Sequence, residues 1–243
     1  MDLSKANIIA QLQKDILVLQ GFKSGANSTA MDIGLGTIKN AFPNGQFPLG
    51  VIHEFIAAGA EDSAATGGFV AAVLASLMQD NGAIIWISSC RGIFPPALQA
   101  FGIAPDKVIF IDLQKEKQIP WAIEEALKCK GLAAVVGELP ELSFTTSRRL
   151  QLAVEQSRVT GFIVRRNPRN ISTTACVARW QITSLPSELE AGMPGVGFPR
   201  WNVQLLKVRN GRPDTWQVEF AAGRFIHIVK TKAIYQQLQK KTG

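Results

Sequence analysis

An α/β fold, with a mostly parallel central sheet flanked by helices, is predicted by three features of this sequence. Short apolar runs of strand length alternate with helical stretches between residues 51 and 164, the pattern of buried parallel strands joined by crossover helices. One such run, 51–57 (VIHEFIA), leads through a glycine-bounded segment at 59–66 into an apolar helical stretch at 67–78, a strand, loop and helix order typical of ligand-binding α/β units. From residue 175 onward the strand-like runs lose their intervening helices, which adds C-terminal antiparallel strands to the sheet.

The elements follow in order. Residues 7–19 repeat apolar side chains at Ile9, Leu12, Ile16 and Leu19, the spacing of a helix with one apolar face that can pack on its own core or on a partner. Residues 24–30 (SGANSTA) are a Ser/Gly/Asn-rich linker, so 1–27 reads as an N-terminal helix with its linker, 28–229 as the core domain and 230–243 as a basic tail. After the helical stretch at 67–78, strands are expected at 84–89, 108–111, 132–136 and 161–164, and helices at 119–130 and 146–157. The final strands are expected at 175–183, 201–209, 215–220 and 224–229, with the turn 210–214 (NGRPD) closing an antiparallel hairpin through its glycine and proline. The glycine- and proline-rich segment 192–200 reads as a loop, with Phe198 and Trp201 either stacking on bases or filling the core.

Composition narrows the function. The 243 residues are 47% hydrophobic and 19% charged, the balance of a globular domain and not of a disordered chain. No apolar run approaches the roughly 20 residues of a membrane span, so a cytoplasmic protein without membrane contact is expected. Cys90, Cys129 and Cys176 are odd in number and far apart, and His53 and His227 are the only histidines. That set suits neither a disulfide framework nor a metal cluster, and no metal site is expected. The net charge of +7 points to an anionic partner. Basic side chains gather at Arg148 and Arg149, at Arg165, Arg166 and Arg169, and in the tail at Lys230, Lys232, Lys240 and Lys241. These clusters are candidate contacts for DNA or an acidic protein surface. Arg165, Arg166 and Arg169 follow a strand directly, and the carboxyl ends of strands are where open α/β sheets bind ligands.

Residues 59–66 read GAEDSAAT. A phosphate-binding loop, G-x-x-x-x-G-K-[ST], needs backbone N–H groups around the phosphates, a lysine on the outer phosphates and a hydroxyl on magnesium. Gly59 and Thr66 keep the outer positions, with Ser63 between them, but Ala64 replaces the second glycine and Ala65 the lysine. Glu61 and Asp62 add two carboxylates where a polyphosphate would lie, a repulsion of about 1 kcal/mol per charge pair at ~4 Å even in water. Nucleotide binding is therefore disfavoured as well as unassisted, and no cofactor is expected.

Three separated stretches, MDIGLGTIKNAFPNGQFPLGVIHEF, GAEDSAATGGF and RWNVQLLKVRNGRPDTWQVEF, resemble in sequence and order the ImuA family, RecA-like proteins of bacterial damage-induced mutagenesis operons. Gly50, Ile52 and Glu54 match the lead-in of the broader RecA family, and Gly59, Glu61, Ser63 and Thr66 its loop. The resemblance implies a RecA-like core whose phosphate loop has eroded. It also exposes two further departures. Where a working ATPase places a water-activating acid after the next strand, this chain has Cys90 and Arg91, and where it ends a later strand with a magnesium-binding aspartate, this chain has Gly137. Glu138 is one position late and is expected on the opposite face. Phosphoryl transfer rests on these parts acting together, so no catalytic residue is assigned.

The resemblance implies a noncatalytic accessory of SOS translesion mutagenesis with RecA, ImuB and an error-prone replicative-type DNA polymerase as partners, and single-stranded DNA as a further ligand. RecA-like cores assemble into rings or filaments, so a homo-oligomer is also weighed, although the nucleotide that joins protomers lacks its loop here. Two alternatives stay open: a SulA-like cell-division inhibitor that binds FtsZ, and a DNA-stimulated ATPase with a degenerate phosphate loop.

Overall fold

The computed structural model describes residues 33–78, 82–189 and 195–228, together with positions 5, 7–9, 11, 12, 15 and 16 of an N-terminal helical stretch. Nine strands form one sheet: β1 (Ile52–Ala57), β2 (Ala83–Ser88), β3 (Val108–Asp112), β4 (Leu132–Leu139), β5 (Thr160–Arg166), β6 (Ala178–Leu185), β7 (Arg200–Val208), β8 (Asp214–Ala221) and β9 (Arg224–His227). Their spatial order is β3-β2-β4-β5-β1-β6-β7-β8-β9. The first six in that order run parallel, and β6 to β9 form an antiparallel meander. The expected mixed sheet, parallel at its centre and antiparallel at its C-terminal side, is present.

Helices cover both faces. On one lies α1 (Ala60–Leu77), whose Phe69, Val70, Val73 and Leu74 pack on Phe55, Trp86, Val136, Phe162 and Trp180. This core continues under the meander through Trp201, Phe220 and Phe225. Gly68 allows the close approach: a Cβ there would stand 3.2 Å from both Phe101 and Trp201. The other face is covered by α2 (Ile119–Leu127) and α3 (Phe144–Ser157), which set Ile123, Leu127, Leu150 and Val154 on Ile52, Ile87, Val135 and Ile163. Ser143 caps α3, its hydroxyl accepting from the Thr146 amide at 3.0 Å.

Several boundaries move for physical reasons. Helix α1 starts at Ala60 and not at residue 67, because Ala60–Ala65 contains three alanines and no glycine or proline to interrupt it. Strand β4 continues to Leu139, since Gly137 is tolerated where Ile123 presses on the sheet and leaves no room for a side chain. Helix α2 ends at Leu127, and β6 starts three residues after the expected position and extends to Leu185. The β8–β9 turn uses Ala222 (φ 50°) and Gly223 (φ 73°), the double positive-φ geometry of a tight hairpin. The 3-10 segments Gly36–Ala41 and Pro95–Phe101 carry no periodicity from which they would have been expected. Among the described residues no helix is long and apolar enough to cross a membrane.

Candidate functional site

In a parallel sheet the carboxyl edge is the place for a ligand. Here the centre of that edge is the junction of β1 with α1, which consists of Ala58 and Gly59 alone. Gly59 is the N-cap of α1, extended at φ −157°. The Ser63 amide donates to the Gly59 carbonyl at 2.9 Å, closing the first helical turn, and the Ser63 hydroxyl donates to the same carbonyl at 2.7 Å. Residues 60–65, which would form the phosphate loop, are therefore wound into the helix. Its amides from Ser63 onward point along the helix axis into intrahelical bonds instead of converging on an anion.

The loop's other members have structural places. Asp62 accepts from the Ala58 amide at 3.3 Å, and Glu61 accepts from the Ser184 hydroxyl on β6. Both carboxylates occupy the first turn of α1, where the helix dipole favours negative charge. Ala65 and Thr66 are buried, and the Thr66 hydroxyl has no hydrogen-bond partner among the described residues. Ala64 is exposed. A nucleoside polyphosphate does not fit this arrangement, which offers it no backbone cradle, no lysine and two carboxylates.

Two of the basic residues expected at this edge, Arg165 and Arg166, are held by acids. Arg165, the strongest sequence candidate for an anionic partner, is fully buried. Its guanidinium donates to Glu54 at 3.0 Å, to Glu141 at 3.0 Å and to the Asn170 carbonyl at 2.6 Å. Glu54 on β1, itself fully buried, also accepts from Arg179 on β6 at 2.8 Å and from Thr174 at 2.7 Å. Glu54 thus ties β5, β1 and β6 together, and Arg165 reaches no surface. Arg166 forms an ion pair of 2.6 Å with Glu138.

Glu138 itself corrects the expectation from strand alternation. It lies on the same face as α1, where its carboxylate accepts from the Trp86 indole N–H at 2.8 Å. Gly137 faces α2 instead. Burial lifts the Glu138 carboxyl above its ordinary range, opposed by the charge of Arg166 and the Trp86 hydrogen bond. At the neighbouring strand ends Arg91 pairs with Asp112 at 2.6 Å, and Arg200 with Glu219 at 2.6 Å and Glu188 at 2.7 Å. Sequence reasoning missed Arg179, Asp112, Glu138 and Glu141 as partners. The available signal was the presence of charges inside the apolar runs of β1 and β5.

The remaining candidates scatter. Arg148 is exposed on α3, and Arg149 bridges to Glu124 on α2 at 2.5 Å. Arg169 is exposed, and its backbone amide donates to Glu141 at 2.8 Å. Phe198 is exposed, whereas Trp201 is buried against Phe69 and Phe101, which takes it out of base stacking. Ile9, Leu12 and Ile16 are each about half exposed on the helical stretch. Leu19, Lys240, Lys241 and the rest of the tail lie outside the described residues. His53 is a core residue: its ring stacks on Phe47 at 4.4 Å, its Nε2 donates to the Pro48 carbonyl at 2.9 Å, and Nδ1 accepts from Trp180. Burial lowers its pKa to about 4. Burial likewise pushes the Cys176 thiol up to about 12, so it is not a nucleophile.

No family model matches the chain. It is 34% identical over 198 residues to Protein ImuA from two strains of Caulobacter vibrioides, covering 76% of this chain and 81% of each relative. Among solved structures it is similar to the RadB recombinase, with a TM-score of 0.56 at 13% identity, covering 82% of this chain and all of that one. The latter similarity is one of fold, and the fold is RecA-like.

Proposed function

The chain belongs to the ImuA family, and on that footing we propose that it is a noncatalytic accessory protein of damage-induced (SOS) translesion mutagenesis. In this reading it works in the cytoplasm as a docking module for RecA, ImuB and an error-prone replicative-type DNA polymerase. One observation carries the noncatalytic part: the segment that would hold phosphates is the first turns of α1. Catalysis of phosphoryl transfer is mostly positioning and charge stabilisation, and the groups that would position are absent or bound to one another.

The docking part is supported by what the same edge exposes. Phe94 follows β2, Trp121 opens α2, Phe144 opens α3, Ile171 follows β5 and Phe198 precedes β7, each more than half exposed. Large apolar side chains concentrated at one edge, beside strand-end arginines already paired with carboxylates, suit a protein interface better than a polyanion. Co-precipitation with purified RecA filaments and ImuB tests this reading. The expected result is capture of the wild-type chain by at least one of them, weakened at least tenfold in W121A/F144A. Failure of both partners to capture the wild-type protein contradicts the partner assignment.

A further inference from the structure

The opposite, amino edge of the sheet has the reverse character. In sheet order the cations at its strand ends include Lys107 before β3, Lys130 before β4, Arg158 before β5, Arg209 after β7 and Arg212 before β8. Lys39 lies beside Arg212, whose amide donates to the Ala41 carbonyl at 2.8 Å. Lys39, Lys130, Arg158 and Arg212 are exposed, and none makes an ion pair among the described residues. Arg209 is half-buried and donates to the Ala175 carbonyl. With strands about 4.8 Å apart, the row from β5 to β8 spans roughly 20 Å.

Two carboxylates stand near this row. Glu155 lies one turn before Arg158 on α3 and accepts from Gln151. Asp214 is engaged by the Thr215 amide at 2.7 Å. Arg158 is held in a costly way: it takes φ 66° as the C-cap of α3, a left-handed position that normally goes to glycine. Its backbone and Cδ lie against Gly50, where an added Cβ would meet the Arg158 carbonyl at 3.2 Å. An arginine kept where glycine would be easier is an outlier from which function can be inferred.

We propose that the amino edge, through Lys39, Arg158 and Arg212, binds the phosphate backbone of duplex nucleic acid. The class follows from what the rim lacks. Among the described residues the exposed aromatics Phe94, Trp121, Phe144 and Phe198 all lie at the carboxyl edge, and none of them gives the rim a stacking platform for splayed bases. Between its cations stand Gly50, Asn210 and Gly211, and the part-exposed Leu206 near the end of β7 is too little for the apolar core of a protein interface. This inference goes beyond the docking role and does not depend on it, because it concerns the other edge.

The test is fluorescence anisotropy with a labelled 30-base-pair duplex, oligo-dT of equal length and polyglutamate, across a salt series, using the full chain. We expect K39Q/R158Q/R212Q to bind the duplex about tenfold more weakly at low salt. The slope of log K against log salt should fall by about 2.7, or ~0.9 per phosphate contact. A control, R148Q/R149Q/R169Q, should leave both unchanged. An unaltered melting temperature in the first variant shows that folding is not the cause. The proposal is overturned if the wild type binds no duplex at low salt, or if the control loses as much affinity. It is also overturned if oligo-dT or polyglutamate binds as tightly as the duplex.

Discussion

The two edges of one sheet hold their strand-end cations differently. At the carboxyl edge Arg91, Arg165, Arg166 and Arg200 are each paired with a carboxylate, and large apolar side chains are exposed between them. At the amino edge Lys39, Lys130, Arg158 and Arg212 have no such partner among the described residues, and no aromatic is exposed beside them. The difference teaches that net charge alone does not locate a binding surface. What matters is which charges the fold has already spent on itself, since a paired, buried arginine has no field left to offer a ligand.

The largest effect should come from breaking the paired edge. Glu54 and Arg165 are both fully buried. Among the described residues, removing Glu54 leaves Arg165 and Arg179 with a single remaining carboxylate between them, Glu141, and removing Arg165 leaves Glu54 with Arg179 and Thr174 alone. Glu54→Ala or Arg165→Ala should therefore destabilise by about 3–5 kcal/mol, read from urea midpoints. A loss below 1 kcal/mol would mean that the network is less confined than its geometry indicates.

The next effects are pH-dependent and opposite in sign. His53 has a folded pKa lowered to about 4 from 6.5, so its neutral form stabilises the native state above pH 6.5. That stability is lost as pH falls toward 4, by about 3 kcal/mol. Glu138 has a raised folded pKa, so its contribution is full below about 4.5 and is lost as pH rises through the folded value. Denaturation from pH 4 to 8 should show a flatter profile at the acid end in His53→Gln. Glu138→Gln should remove a decline just above pH 4.5. Identical profiles for wild type and both variants would contradict these assignments.

The smallest effect belongs to the amino edge. Arg158→Gly relieves a left-handed residue and should stabilise by about 1 kcal/mol while weakening duplex binding. A thermal melt beside an anisotropy titration measures both. Stabilisation without any loss of affinity would remove Arg158 from the proposed surface.

Much of the fold was legible in the sequence. Apolar runs alternating with helices marked β1, β2, β3, β4 and β5, and the glycine of the 210–214 segment marked the β7–β8 turn. The face of Glu138 was misjudged because Gly137 was taken as the end of the strand, when Ile123 packs against the space its missing side chain leaves. Arg165 was legible as a charge at a strand end but not as a buried one. Its partners Glu54 and Glu141 lie 111 and 24 residues away, and no local pattern joins them. The start of α1 was hidden by the frame of a loop whose glycine and lysine had become alanines, residues that favour helix.

The central claim is that the carboxyl edge has been closed to nucleotide and given over to binding proteins. Calorimetric titration of the wild-type chain with ATP and magnesium tests it most directly. The account predicts no saturable heat up to millimolar ATP. Stoichiometric binding in the micromolar range, abolished by Thr66→Ala in a variant with an unchanged melting temperature, would contradict it.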